Sequence, residues 1–415
     1  MLSSADPPTR GGKLDDLRRV IRRIENARPF RVAPEPPETV LDGRLVDTEA
    51  GPILTVRREF PLDHRHGSVP LERAFGISAE ALSVLTRDEA APDARRLLFL
   101  DTETTGLAGG TGTYAFLVGA GFMEDDHFVV VQHFMRDLDE EPALLAAVAP
   151  LLERASAVVT FNGSGFDVPL LETRFILSRR RWPAGLLHLD LMHPARRVWA
   201  SRFVDCRLST LEQEVLGHRR ESDVLGSLIP SLYFDFLRRR RAGPLTRVFR
   251  HNSDDVLSLI ALLGWFGHAL TQGERGLDDA FDLVGVARLW ERLDPERAVA
   301  CYRAALAVGL PTAAAHQARL RLASWEKRWS RWDAACTLWE QATAGTSFDP
   351  RPWEELAKYH EHRARDAAAA RGVVTAALDR AGAAGAAASI MSAFTYRLAR
   401  LERRLVRSPR RMIGR

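Results

Sequence analysis

The chain has 415 residues, of which 46% are hydrophobic and 27% charged, and this composition is typical of a globular protein with two or three domains. No apolar run reaches the roughly 18 residues that span a bilayer. The segment from Met1 to Lys13 also lacks the apolar core of a secretory signal. We therefore expect a cytoplasmic protein that makes no use of a membrane.

The formal net charge is +4, and arginine supplies nearly all of the positive charge because the chain has only three lysines. Guanidinium groups bind phosphate bidentately, so an arginine-rich surface is suited to nucleic acid, although a genome-wide preference for arginine explains the composition equally well. Three isolated cysteines without CxxC spacing predict reduced thiols rather than disulfides or a zinc site, namely Cys206, Cys301 and Cys336.

Residues 1–95 are interpreted as an N-terminal lead-in region with a short helix and a strand. A basic helix is predicted from Leu14 to Arg28, and a strand from Pro52 to Phe60. His64 and His66 follow this strand. Two histidines without a third ligand are more often surface or strand-pairing residues than a metal site.

Residues 96–272 are predicted to form an α/β domain with a mixed sheet flanked by helices. Short apolar runs predict strands, and longer amphipathic stretches predict helices. Three strands in meander order precede a helix, a strand, a helix, a strand and further helices, which is the element order of the ribonuclease-H fold. The predicted strands are 96–101, 114–122, 128–134, 157–161 and 186–190, and the predicted helices between them are 140–154 and 166–181.

Residues 278–402 have a repeated helical pattern, followed by a basic tail at 403–415. Pairs of alanines seven residues apart recur at 298/305, 335/342 and 370/377. The first alanines of these pairs are 37 and then 35 residues apart, close to the 34-residue tetratricopeptide period. The pattern resembles divergent tetratricopeptide repeats, with a generic alanine-rich helical bundle as the alternative. Such repeats are suited to docking a protein partner.

Asp101 and Glu103 lie two residues apart where the predicted strand 96–101 ends. Side chains two apart on an extended segment project from the same face. Two carboxylates placed in this way repel one another unless a positive group lies between them, and a divalent cation is the usual solution.

Two later segments supply further acids. Asp167 follows a predicted strand and turn and opens a helix; taken alone, it is explained equally well as a helix cap. His251 and Asp255 are four residues apart at the predicted start of an apolar helix, so they lie near one face. Asn252 or Ser253 is the expected cap of that helix, and Asp254 is expected to be an acid of its first turn.

These segments together resemble the DEDD superfamily of 3′→5′ exonucleases, and more narrowly the YprB-like ribonuclease-H-type proteins. The resemblance implies phosphodiester hydrolysis with two Mg²⁺ or Mn²⁺ ions about 4 Å apart. It implies that the four acids hold the metals, with Asp101 bridging both ions, Glu103 and Asp255 on the nucleophile side, and Asp167 on the leaving-group side. His251 is then expected to orient or deprotonate the attacking water.

The resemblance has one departure, because the histidine stands four residues before the last acid, where superfamily members with a tyrosine carry that tyrosine. It also implies that Thr104, Gly106, Leu107 and Asn162 contact the substrate, and that the nucleic acid presents a single strand or a 3′ end. DNA and RNA are not distinguished by these motifs.

The sequence suggests two other functions. The loop Gly109–Thr113 is rich in glycine but has no lysine and leads into a strand, which excludes a P-loop ATPase. The second alternative is a catalytically weak ribonuclease-H-fold protein that binds nucleic acid and whose helical repeats dock a protein partner.

Overall fold

The computed structural model of the chain describes residues 36–86, 91–106, 112–345 and 347–407. The helix predicted at Leu14–Arg28, the substrate residue Leu107 and most of the loop that begins at Gly109 lie outside these ranges. Residues 403–407 of the predicted basic tail complete the last helix, and residues 408–415 lie outside the described part.

A mixed sheet of seven strands forms the centre of the larger part of the molecule. Its strands have the spatial order β1-β2-β7-β6-β5-β8-β9, while β3 and β4 form a separate short hairpin. The strands are β1 (Arg44–Thr48), β2 (Gly51–Pro61), β3 (Arg65–His66), β4 (Val69–Pro70), β5 (Leu97–Thr104), β6 (Ala115–Glu124), β7 (His127–Phe134), β8 (Ala157–Thr160) and β9 (Leu187–Asp190).

The predicted order of elements in residues 96–190 is confirmed. Strands β5, β6 and β7 form an antiparallel meander, and β8 and β9 add to β5 in parallel. The sheet also extends into the region predicted as a lead-in, since β2 pairs with β7 and β1 with β2. Strand β2 belongs to the sheet because four successive residues, Ile53 to Val56, are buried against the core.

Helices cover both faces of the sheet. The longest, α9, is long and apolar enough to cross a membrane, but 72% of its most apolar window is buried inside the protein, as in the core helix of a globular domain. The helices of this part are α1 (Pro37–Val40), α2 (Glu72–Phe75), α3 (Ala79–Thr86), α4 (Glu141–Arg154), α5 (Asp167–Leu177), α6 (Met192–Trp199), α7 (Leu208–Leu211), α8 (Ile229–Arg239) and α9 (Leu245–Gln272).

The rest of the described chain is helical. Its helices are α10 (Ala280–Trp290), α11 (Pro295–Val308), α12 (Thr312–Arg328), α13 (Trp332–Thr343), α14 (Pro350–Lys358), α15 (Ala367–Ala383) and α16 (Ala388–Arg407). The six alanines of the predicted repeat are all buried, so they form the contact stripes between consecutive helices.

Helix α10 packs directly on α6, which belongs to the sheet-containing part. The fit is close: a Cβ atom added at Gly285 would lie 2.5 Å from Cα of Val198. Leu283, Val286 and Trp290 belong to the same buried cluster as Trp199. The helical region therefore shares a hydrophobic core with the sheet-containing part.

Candidate metal centre at the end of the sheet

Strand β5 delivers Asp101 and Glu103 to a partly open edge of the sheet. The parallel pairing of β5 with β8 stops at Phe99, whereas its antiparallel pairing with β6 continues past Glu103. Beyond Phe99, one side of β5 is therefore free to meet the turn that follows β8. Thr102 lies on this unpaired stretch, and its hydroxyl donates a hydrogen bond to Asp167 Oδ1 at 2.5 Å.

Asp167 is the first residue of α5, and the turn before it is anchored by Asp190 at the end of β9. The Asp190 carboxylate accepts hydrogen bonds from the backbone N–H groups of Asn162 and Ser164, at 2.7 and 3.1 Å, and from the Ser164 hydroxyl at 2.6 Å. Asn162 has a φ of 65°, which lets the chain turn sharply after β8. Asp190 thus fixes the path that brings Asp167 to Thr102.

Helix α9 begins at Leu245, so the predicted cap at Asn252 or Ser253 and the first-turn position of Asp254 are wrong. Packing of Leu245 and Val248 in the core extends the helix toward its N-terminus. Asn252 lies fully buried inside the helix, and its amide donates to Asp101 Oδ2 at 2.8 Å. It serves the acidic cluster rather than a helix end.

The position of Asn252 depends on two residues of neighbouring strands. Its Oδ1 accepts a hydrogen bond from the Gln132 side chain on β7 at 2.8 Å. Gly119 on β6 lies directly beneath, and a Cβ atom there would approach Asn252 Oδ1 to 2.2 Å. Any side chain at Gly119 would therefore displace the amide that holds Asp101.

His251 and Asp255 occupy the same face of α9, as their spacing predicts, and this face is turned toward Glu103. His251 Nε2 lies 3.5 Å from Asp255 Oδ2 and 4.0 Å from Glu103 Oε1. One ligand atom from each of the three residues lies within 4.8 Å of the others, an arrangement able to hold a metal ion. Glu103 Oε1 is buried and has no hydrogen-bond partner among the described residues, as expected of an oxygen that binds a cation.

Burial and mutual repulsion raise the pKa values of Asp101, Glu103 and Asp167. Burial is the largest cause for Asp101 and Glu103, whose pKa values lie well above the ordinary range, and the charge of Asp255 is the next cause for both. Burial also raises the pKa of Asp167 to about 6. Ligand atoms of Glu103, His251 and Asp255 lie within 4.8 Å of one another, and the hydrogen bonds of Thr102 and Asn252 place Asp167 and Asp101 at the same end of β5. The structure therefore brings all four predicted acids into one cluster.

Arg220 is a nearby cation that the sequence motifs did not identify. Its guanidinium contacts Asp255 Oδ1, and it pairs with both oxygens of Glu212, with Nε at 2.8 Å from Oε2. Glu212 also accepts from Ser258 at 2.5 Å, and Ser258 lies 2.8 Å from His66 Nε2. Only 8% of the Arg220 side chain is exposed, so these carboxylates and the guanidinium compensate one another away from water.

His66 therefore belongs to the buried support of Arg220. Its ring stacks on His218 at 3.9 Å, and burial lowers its pKa to about 3. It also pairs with Val69 between β3 and β4, as expected for a strand-pairing histidine.

Asp223 is a second residue without a sequence signature. Its Oδ1 lies 2.8 Å from His251 Nδ1, and Arg220 Nη1 lies 2.9 Å from the same nitrogen. These contacts occupy Nδ1 and leave Nε2 as the ring nitrogen that faces Glu103 and Asp255. They fix the plane of the imidazole in the way that outer partners commonly orient a functional histidine.

Three of the predicted substrate-binding residues lie near the acids along the chain, namely Thr104, Gly106 and Asn162. Thr104 and Gly106 follow Glu103 directly, and the Thr104 hydroxyl donates to the Gly106 carbonyl at 2.8 Å, which shapes the turn. Asn162 lies in the turn before Asp167, and its side chain is half-buried.

Two comparisons place this geometry among known proteins. The profile of a family described as RNase_H superfamily matches residues 98–267, a range that contains the four acids and His251. The chain is also 33% identical over 315 residues to YprB of Bacillus subtilis (strain 168), a match that covers 74% of this chain and 76% of YprB. Residues 98–267 therefore form an RNase_H superfamily domain, and the chain belongs to the same family as YprB.

Proposed function

We propose that the chain is a metal-dependent 3′→5′ exonuclease that hydrolyses nucleic acid with two Mg²⁺ or Mn²⁺ ions. The observation that carries the proposal is the convergence of Asp101, Glu103, Asp167 and Asp255. Burying four carboxylates together raises the free energy of the folded state, and divalent cations offset that cost. The unpartnered Oε1 of Glu103 supports a metal at this position.

In this proposal Asp101, Glu103 and Asp255 would hold the ion on the side of the nucleophile, and Asp101 and Asp167 would hold the other ion. When bound, the metals supply a Lewis acid and a water activated at neutral pH. Asn252 holds Asp101 in place, Thr102 holds Asp167, and Arg220 binds the outer oxygen of Asp255. Asp101, Asp167 and Asp255 thus keep orientations that do not depend on the substrate.

His251 orients or deprotonates the attacking water through Nε2. Its position between Glu103 and Asp255, with Nδ1 held by Asp223, supports this role. The same distances make His251 a candidate metal ligand, an alternative to the all-oxygen ligand set that the sequence predicts. The turn at Thr104 and Gly106 and the side chain of Asn162 are proposed to contact the terminal nucleotide.

The test is degradation of 5′-labelled single-stranded DNA and RNA of matched sequence, with Mn²⁺ or Mg²⁺ and with chelator. We expect a ladder that shortens from the 3′ end and that requires the metal. Asp101→Asn should abolish it, while Asp126→Asn, which changes an exposed acid in the β6–β7 turn, should not. Activity that survives chelation, or equal activity in both variants, would refute the proposal.

A second candidate is a catalytically weak protein that binds nucleic acid. The observation in its favour is the ion pair of Arg220 with Asp255, which neutralises part of the cluster without a metal. In that case the oligonucleotide binds but its length does not change in any divalent metal, and the same gel distinguishes the two functions.

A further inference from the structure

Two adjoining cavities on the helical region form one groove along α12. The first has a volume of about 550 Å³ and begins at Ser201, just beyond α6, and the second has a volume of about 700 Å³ and extends to Arg351 in α14. Both cavities are lined by Gln317 and Arg321, so the two cavities adjoin along α12. We refer to the two together as the α12 groove.

One face of α12 is turned toward this groove. Gln317, Arg321, Ser324 and Arg328 line it, and their spacing of four, three and four residues places them on a single stripe of the helix. All four are exposed. Arg321 and Arg328 are two helical turns apart, or about 10 Å along the axis. The stripe therefore presents two cations in line with the groove.

The groove carries an excess of positive charge, because five basic and two acidic side chains line it. The two acids are already paired: Lys358 lies 3.6 Å from Glu354 and 3.0 Å from Glu355, and Lys327 contacts Glu355 as well. The acidic side chains are therefore not available to neutralise the arginines.

Three arginines of the groove make no short ion pair with a carboxylate among the described residues. Within the part of the chain that the structure describes, Arg288 donates to two neutral oxygens, the carbonyl of Arg197 at 3.4 Å and Ser201 Oγ at 3.5 Å. The Cζ atom of Arg328 lies 5.3 Å from the centre of the Trp325 ring. Arg321 is 65% exposed, and its closest carboxylate oxygen, on Glu291, is 4.0 Å away. A salt bridge at that distance and exposure contributes little.

The termini of the chain itself are poorly suited to fill the groove. Residues 1–35 contain eight basic and five acidic side chains, and residues 408–415 contain three arginines and no acid. Both segments are positively charged and are repelled by the arginines. The charge of the groove instead complements a linear anion with charges at regular intervals, and guanidinium groups match phosphate bidentately.

We infer that the α12 groove binds the sugar–phosphate backbone of single-stranded nucleic acid. Its first end adjoins the sheet-containing part at Ser201. Binding in the groove does not depend on the proposed function. Only the further step, in which the bound strand is cleaved at the acidic cluster, rests on that function. The apolar groove floor at Phe281, Leu320 and Trp332 offers surface to the bases.

The experiment measures binding of a fluorescent single strand of about 20 nucleotides to the full chain in chelator, over a series of salt concentrations. Arg321→Gln/Arg328→Gln should weaken binding about tenfold and lower the slope of log affinity against log salt by about 1.4, since each phosphate contact contributes about 0.7. The matched control is Arg371→Gln/Arg403→Gln, which removes two exposed arginines that do not line the groove and should change affinity less than twofold.

Unchanged affinity and salt dependence in the groove variant would overturn the inference. The inference would also be overturned if a poly-glutamate peptide bound the wild type but not the groove variant while nucleic-acid binding was unchanged. The occupant would then be an acidic protein segment. Cleavage of a dinucleotide should remain at the wild-type level in the groove variant, because neither substitution changes a residue of the acidic cluster. Because binding is measured without metal, loss of the proposed nuclease activity leaves this test intact.

Discussion

The acidic cluster and the α12 groove differ in how each deals with its charge. The acids of the cluster are half-buried and close together, and only 12% of the Glu103 side chain is exposed. The groove arginines lie in water, as the 65% exposure of Arg321 shows. Burial raises the energy of an unpaired charge, whereas solvent screens an exposed one. Substitutions in the cluster should therefore change chemistry and stability, while those in the groove should change only binding.

After the loss of Asp101, the largest expected effect within the cluster is the loss of His251. If its Nε2 deprotonates the attacking water, His251→Ala should lower the rate of hydrolysis by roughly 10²–10⁴-fold. Asp223→Asn should lower it less, since that variant keeps the imidazole and changes only its partner at Nδ1. The measurement is the single-turnover rate in Mn²⁺. An Mn²⁺ affinity reduced in parallel with the rate would instead identify His251 as a metal ligand.

Arg220 and Arg328 offer a direct contrast between a buried and an exposed arginine. Arg220→Gln leaves Glu212 and Asp255 without their cation, so it should lower the free energy of unfolding by about 3–5 kcal/mol. Arg328→Gln should change it by no more than about 0.5 kcal/mol. Urea unfolding at neutral pH measures both. Equal effects would show that the buried network contributes no more to stability than an exposed arginine.

A smaller effect is expected from pH, and Asp167 is the residue to follow. Burial raises its pKa to about 6, so the folded protein holds this proton more tightly than the unfolded chain. Tighter binding of this proton stabilises the folded state. The stabilisation is fully present below the ordinary carboxyl pKa and is lost as pH rises through about 6. Asp167→Asn should therefore become more stable relative to the wild type over that interval, by on the order of 1–3 kcal/mol without metal.

The comparison with Asp167→Asn is needed because other groups titrate in the opposite sense. Burial lowers the pKa of His66 to about 3 and that of His133 to about 4, and these residues reduce stability as pH falls. They are the same in both proteins and cancel in the difference. A difference that does not change between about pH 4 and 7, or that favours the wild type as pH rises, would contradict the assignment. Saturating Mg²⁺ should abolish the effect.

The sequence predicted the parts of the site that leave a local pattern. Asp101 and Glu103 end an apolar strand, Asp167 follows a strand and a glycine-containing turn, and His251 and Asp255 share a helical face. The strands 96–190 were predicted for the same reason, since each is a short apolar run bounded by polar turns. The pairing of β2 with β7 has no such pattern, because a strand does not encode its partner.

The residues that sequence reasoning missed act over long distances in the chain. Arg220 reaches Asp255 across 35 residues, and Asn252 reaches Asp101 across 151. Asn252 was predicted as a cap because asparagine commonly caps helices, but core packing extends α9 beyond it. One clue was available: Gly119 interrupts the apolar strand β6, and a glycine inside a strand often marks a close approach by another group.

The most direct test of the central claim is a crystal of the protein soaked in Mn²⁺, with the metal located by its anomalous scattering. The account predicts two peaks about 4 Å apart, both in contact with Asp101 and one also in contact with Glu103 and Asp255. Crystals of Asp101→Asn should lose at least one peak. Manganese bound elsewhere, or no peak within coordination distance of Asp101 in the wild type, would contradict the claim that these acids form a metal centre.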